Sequence, residues 1–137
     1  MMNKTRRLLT ILLIAVSLFT AAMPALAVED HWISVSGGSE HTIGPYYGSS
    51  VSYYVGNQGY TNVYWELQDS SGIVLDSGWL SPYVAYDDKY TYSNTLNVSD
   101  LTDYYPWGPS EVGFKLMLSC AYSVGSSCAA EGNIVVN

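Results

Sequence analysis

Glu111-Val112-Gly113-Phe114-Lys115-Leu116-Met117-Leu118-Ser119-Cys120 is the stretch that decides the fold. Val112, Phe114, Leu116, Leu118 and Cys120 fall on one side of an extended chain, and Glu111, Gly113, Lys115 and Ser119 on the other. Alternation of period two in a run of branched and aromatic residues specifies a half-buried β-strand, here Glu111 to Tyr122. A second run, Ala129 to Val136, carries Ile134 and Val136 in the same phase. The only cysteines are Cys120, near the end of the first run, and Cys128, directly before the second. Two cysteines in a small chain are expected to pair if it reaches an oxidising space, whereas zinc would need ligands closer than the distant His31 and His41. If Cys120 faces Cys128, an antiparallel hairpin sets Leu118 against Ala130, Leu116 against Gly132, Phe114 against Ile134 and Val112 against Val136. Every inward residue then meets an inward partner, and a slip of one residue would break the match.

Working outward, five further runs read as strands: His31 to Ser36, Ser50 to Val55, Thr61 to Gln68, Ile73 to Leu80 and Tyr90 to Val98. They are separated by Gly37-Gly38, by Gly56-Asn57-Gln58-Gly59 and by the turn Asp69-Ser70-Ser71-Gly72. After residue 28 no apolar repeat at helical spacing occurs. The expected fold class is therefore all-β, an antiparallel β-sandwich of about seven strands. Trp65, Phe114, Tyr53 and Tyr92 fall on inward stripes and are expected in its core.

Residues 1–27 have the three-part plan of a secretory signal peptide. Lys4, Arg6 and Arg7 precede the apolar run Leu8 to Ala22, and Ala25-Leu26-Ala27 is a small-x-small cleavage site. The long Leu/Ile core favours the general secretory route over twin-arginine export. The expectation is one domain over residues 28–137, secreted and extracellular, with no later stretch approaching a membrane span. Removal of the three leader cations leaves Lys89 and Lys115 against twelve carboxylates, a formal net charge of −10. That balance excludes ordinary phosphate-backbone binding, so no nucleic-acid partner is expected.

Val63-Tyr64-Trp65-Glu66-Leu67 followed by Asp69-Ser70-Ser71-Gly72-Ile73-Val74-Leu75 places a core Trp before a D-x-x-G hairpin, and Asp100-Leu101-Thr102-Asp103-Tyr104 is similar to a tyrosine corner. In these features the chain resembles bacterial immunoglobulin-like domains, over about 50 residues. The resemblance implies an immunoglobulin-like sandwich and a structural role for Tyr104. It implies no activity, since such domains serve as adhesion modules, spacers, carbohydrate binders and inhibitors. Two departures are the local cysteine bridge and the insertion of Tyr105 to Ser110 after the corner.

Few residues point to chemistry. No G-x-S-x-G elbow accompanies His31 or His41, and carboxylates are too abundant for any pair to mark a glycosidase, so no enzyme activity and no cofactor are expected. Asp87 and Asp88, and Asp100 with Asp103, are the acidic loops nearest to a calcium site, although solvated surface charge is the expected role and no D-x-D-x-D-G loop is present. The unusual feature is aromatic: residues 28–137 hold thirteen Tyr, four Trp and Phe114. Tyr46, Tyr47, Tyr104, Tyr105 and Trp107 lie beside Gly and Pro in connections expected at one end of the sandwich. There they form either a binding face for an extracellular glycan or protein surface, or lids over the open end of the core. Self-association of a Tyr-rich chain with few repelling cations is the alternative partner expectation.

Overall fold

The computed structural model describes residues 28–83, 88–121 and 127–137; the expected signal peptide, residues 1–27, lies outside them. Eight strands form: β1 (Asp30–Ser36), β2 (Glu40–Gly48), β3 (Ser50–Asn57), β4 (Val63–Asp69), β5 (Val74–Leu80), β6 (Thr91–Asn97), β7 (Val112–Ser119) and β8 (Ala129–Val136). They make two four-stranded antiparallel sheets, in the orders β1-β8-β3-β6 and β2-β7-β4-β5. All seven strands expected from the sequence are present, and β2 is the addition. Gly44-Pro45 reads as a turn, yet β2 is an edge strand, where the missing proline N–H costs no ladder bond. Gly44 has φ +97°, and a Cβ there would strike the Phe114 carbonyl oxygen, so the ladder to β7 shifts register between Ile43 and Tyr46 and then resumes.

The strand order corrects two expectations. β7 and β8 are not a hairpin: β7 pairs with β2 and β4, and β8 with β1 and β3. The cysteines bridge the two sheets, with their sulfurs 1.97 Å apart. The inward phases hold, with Val112, Phe114, Leu116, Leu118, Ala130 and Ile134 all buried, since two strands match in phase equally well side by side or face to face. Leu116 still meets Gly132, but across the core: a Cβ on Gly132 would lie 3.1 Å from Leu116 Cδ2. Antiparallel pairing of β1 with β8, β2 with β7, β3 with β6 and β4 with β5 is a long hairpin wrapped on itself. That is a jelly-roll order. An immunoglobulin-like sandwich instead keeps its last two strands side by side in one sheet.

Between the sheets lie Val51, Val55, Val63, Leu67, Phe114, Leu116, Leu118 and Ile134, all fully buried. Trp65 and Tyr53 are in this core as expected, whereas Tyr92 stands at its margin, 37% exposed on edge strand β6. At the cysteine end the tight β1–β2 connection is tied to the bridge: the Gly37 N–H donates to the Cys128 carbonyl (3.1 Å) and the Cys120 N–H to the Ser39 carbonyl (2.8 Å). The disulfide thus fixes the point where the chain crosses from one sheet to the other. Replacing both cysteines with Ser is expected to cost about 2 to 3 kcal/mol, as for any short closed loop, and a urea midpoint equal to the parent's would show the bridge idle.

Candidate functional site

Three connections meet at the end opposite the disulfide: Ser49 between β2 and β3, residues 70–73 between β4 and β5, and residues 98–111 between β6 and β7. Two bonds hold them together. The Val98 N–H donates to the Ser49 carbonyl (2.9 Å), and the Tyr105 hydroxyl donates to Asp69 Oδ2 (2.6 Å). The chain end joins them, since Ser49 and Ser50 donate their N–H groups to the Asn137 carbonyl.

The 98–111 connection is a series of turns. Val98 and Leu101 are buried and anchor it, and the N–H groups of Tyr104 and Tyr105 both donate to the Leu101 carbonyl. A further turn closes from the Gly108 N–H to the Tyr105 carbonyl (3.0 Å), with Gly108 in the left-handed region at φ +58°. Pro106 and Trp107 occupy its two central positions, so the indole is carried outward and is 84% exposed. Below lies a depression of about 510 Å³ lined by Ser49, Asn97, Ser99, Thr102, Tyr105 and Ser110. Ser50, Val98, Gly108 and Pro109 complete its lining, so hydroxyl and amide groups alternate there with apolar surface, and Asn97 Nδ2 donates to Asp100 Oδ2 (2.9 Å).

Asp69 organises the neighbouring turn. Its carboxylate is buried and accepts from the Ser71 N–H and hydroxyl, the Ile73 N–H and the Tyr105 hydroxyl. Burial alone would raise its pKa, but the hydrogen bonds from Tyr105, Ser71 and Ile73 outweigh it and hold the carboxyl below the ordinary value. Tyr105 responds in the opposite sense: burial and the Asp69 carboxylate push its hydroxyl well above the usual tyrosine range.

The five expected aromatic residues divide. Tyr46 is half-buried on β2 and stacks on His31, with ring centroids 3.6 Å apart, and Tyr105 packs on the core. These two are lids. Tyr47, Tyr104 and Trp107 are exposed at 65%, 44% and 84%. Tyr47 lies over Gly113, where a Cβ would come within 2.8 Å of its ring and 3.0 Å of Ser70 Cβ, so it reaches the 70–73 turn. Tyr104 is too exposed for the structural role that the resemblance implied, and the tyrosine that folds back is Tyr105.

Among the described residues no three His, Cys, Asp or Glu side chains group as metal ligands. Asp100 is engaged by Asn97 and Ser99, Asp103 is exposed, Asp88 begins the short 3-10 turn Asp88–Tyr90, and Asp87 lies outside the described residues. His41 Nδ1 is 2.8 Å from the Ser34 carbonyl. No helix among the described residues is long and apolar enough to cross a membrane. The chain matches no family model, and no curated protein matches it.

Proposed function

We propose that this protein is a secreted, non-enzymatic binding module that contacts an extracellular glycan with the end of its sandwich formed by Tyr47, Tyr104 and Trp107. The observation that carries the reading is the position of Trp107, 84% exposed at the tip of a pinned turn and beside a depression lined by serine, threonine and asparagine. A sugar ring presents a C–H face that stacks on an indole and a rim of hydroxyls that pairs with such side chains. The turn is ordered by Val98, Leu101 and Tyr105, so little entropy is lost when it binds. No reaction is assigned: His31 Nε2 lies by the Glu29 carboxylate (3.5 Å) and His41 Nδ1 by the Ser34 carbonyl (2.8 Å), neither of them a hydroxyl or thiol that an imidazole could activate. A disulfide suits an oxidising space outside the cytoplasm.

Replacing Trp107 with Ala tests the proposal. Its melting temperature is expected to stay near the parent's, because the side chain packs on little. Retention on a glycan array should fall by about 2 kcal/mol or more, roughly thirtyfold, as for an aromatic anchor. Unchanged affinity would reject the assignment, and clear destabilisation would make Trp107 a lid. A second reading, self-association, is favoured by edge strand β5, where Val74 and Trp79 are exposed beside Ile73. It predicts light scattering that grows with concentration in the absence of any glycan.

A further inference from the structure

In the sheet β1-β8-β3-β6, inward residues alternate with outward ones along each strand. Tyr53 and Tyr92 turn inward, and both give their hydroxyls to Asp76 Oδ2 of β5. On the outer face, Ser50 pairs with Asn97, and both line the depression at the loop end. The register sets Asp30, Val135, Ser52 and Thr95 in the next row across the four strands, and Trp32, Asn133, Tyr54 and Ser93 in the row after it. A second, open depression of about 440 Å³ lies on these two rows, its lining including Ser52, Tyr54, Thr95 and Asn133. The candidate site therefore continues from the loop end along the sheet.

Two aromatic rings on this face are held in place. Trp32 is 60% exposed, and its Nε1 donates to Asp30 Oδ2 (3.0 Å). Asp30 Oδ1 accepts Asn133 Nδ2, so one carboxylate fixes both neighbours. Tyr54 lies down along its own strand over Gly56, where a Cβ would come within 2.4 Å of the tyrosine hydroxyl. Beside it the Ser52 and Thr95 hydroxyls are 2.9 Å apart, and two hydroxyls bonded to each other still offer a donor and lone pairs to a ligand. The four strands contain no Lys or Arg, and Asp30 and Glu131 are their only carboxylates.

We infer that the ligand of the loop end is an extended neutral polysaccharide, which leaves the depression at Ser50 and Asn97 and runs over the outer face of this sheet to Tyr54 and Trp32. The inference rests on the glycan-binding reading and adds the class of the ligand and its path. From Asn97 to Ser93 the track is about 14 Å long, and Trp32 and Tyr54 stand about 10 Å apart at their backbones, on either side of β8. One sugar ring cannot span such a track, whereas a chain of rings can. Trp32 and Tyr54 match the apolar faces of separate rings, and Ser52, Thr95 and Asn133 match their hydroxyls. A sulfated or uronate chain would meet no cation on these strands and a chain of formal charge −10, so the neutral class is assigned. A protein partner would want a pocket for a buried anchor, and this face offers a shallow one of hydroxyls and amides.

Trp107 and Trp32 report the two ends of the track separately. The 15N-labelled protein expressed from the full chain is titrated with neutral oligomers of glucose, mannose, xylose and N-acetylglucosamine, each as a series from dimer to octamer, and with oligogalacturonate, while the indole N–H resonances are followed. The expected result is that dimers of one neutral sugar move Trp107 alone, whereas longer oligomers also move Trp32 and bind at least about tenfold more tightly. Trp32→Ala should remove that gain with length and leave dimer binding unchanged. Thr95→Val, which keeps the branched shape of an exposed strand residue, should reduce the gain as well, and it preserves the test if Trp32→Ala fails to fold. Movement of Trp107 alone at every length, with constant affinity, would overturn the track and leave the function standing. Movement of Trp32 alone would overturn the path from the loop end, and with it the function given to Trp107. A response confined to oligogalacturonate would overturn the neutral class. Movement of Trp32 with rising protein concentration and no sugar would make this face a contact between copies and overturn its use by a glycan. No movement with any of the oligomers would overturn both readings.

Discussion

Trp65→Ala is expected to unfold the protein or bring it to the edge of unfolding. Trp65 is 2% exposed, packs on Tyr53 and Tyr92 and covers Gly78 on the neighbouring strand. Truncating a buried indole costs about 3 to 5 kcal/mol. An ordinary domain holds about 5 to 15 kcal/mol in total. Urea denaturation followed by circular dichroism checks this, and a cooperative transition within a few degrees or a few tenths molar of the parent's would mean that Trp65 is not core. Trp65→Phe, which keeps much of the packing, should lie between the two.

The second large effect is expected at Asp69. Asp69→Ala removes the acceptor for the Tyr105 hydroxyl, for two backbone N–H groups and for the Ser71 hydroxyl, at a site where water cannot replace it fully. Hydrogen bonds to a charged group are worth more than neutral ones, and the donors left behind are part-buried, so a loss of about 3 kcal/mol is expected. The effect has a sign in pH. The folded carboxyl titrates below its unfolded value of about 3.9, so its contribution is complete above that pH and is lost as the pH falls through the folded value. Melting temperatures of the parent and Asp69→Asn, measured from pH 6 down to pH 2, should converge at the acid end. Parallel curves would show that the Asp69 charge contributes nothing. Tyr105→Phe removes the strongest donor and is expected to raise the pH at which convergence begins.

Local pattern was legible in this sequence and neighbourhood was not. Alternation located β3, β4, β7 and β8, because a strand with one face in the core records that face residue by residue. It missed β2, since Gly44-Pro45 is a turn signal unless the strand is at an edge, and edge position is a property of the whole sheet. The same limit explains the error at the cysteines. The inward phase of Leu116 and Gly132 is compatible with side-by-side and with facing strands, and periodicity cannot distinguish them. At the aromatic end, Pro106, Trp107 and Gly108 announce a turn that carries a Trp outward. Nothing local separates Tyr104 from Tyr105, because Tyr105 is held by Asp69, 36 residues away. For the same reason nothing in its own strand marks Asp76, since the tyrosines that fix it come from β3 and β6.

The wrapped-hairpin order also governs when the protein can fold. β8 sits between β1 and β3, and β7 between β2 and β4, so neither sheet has its centre until the last quarter of the chain exists. As the polypeptide is made, β1 waits for a partner about 100 residues downstream, and the early strands β3 and β4 have only edge neighbours to pair with. Contacts this distant in sequence make for slow folding. A nascent chain of this topology can therefore complete neither sheet until its last two strands are made, and the Cys120–Cys128 bridge can close only then, as the final crossing between the sheets is made.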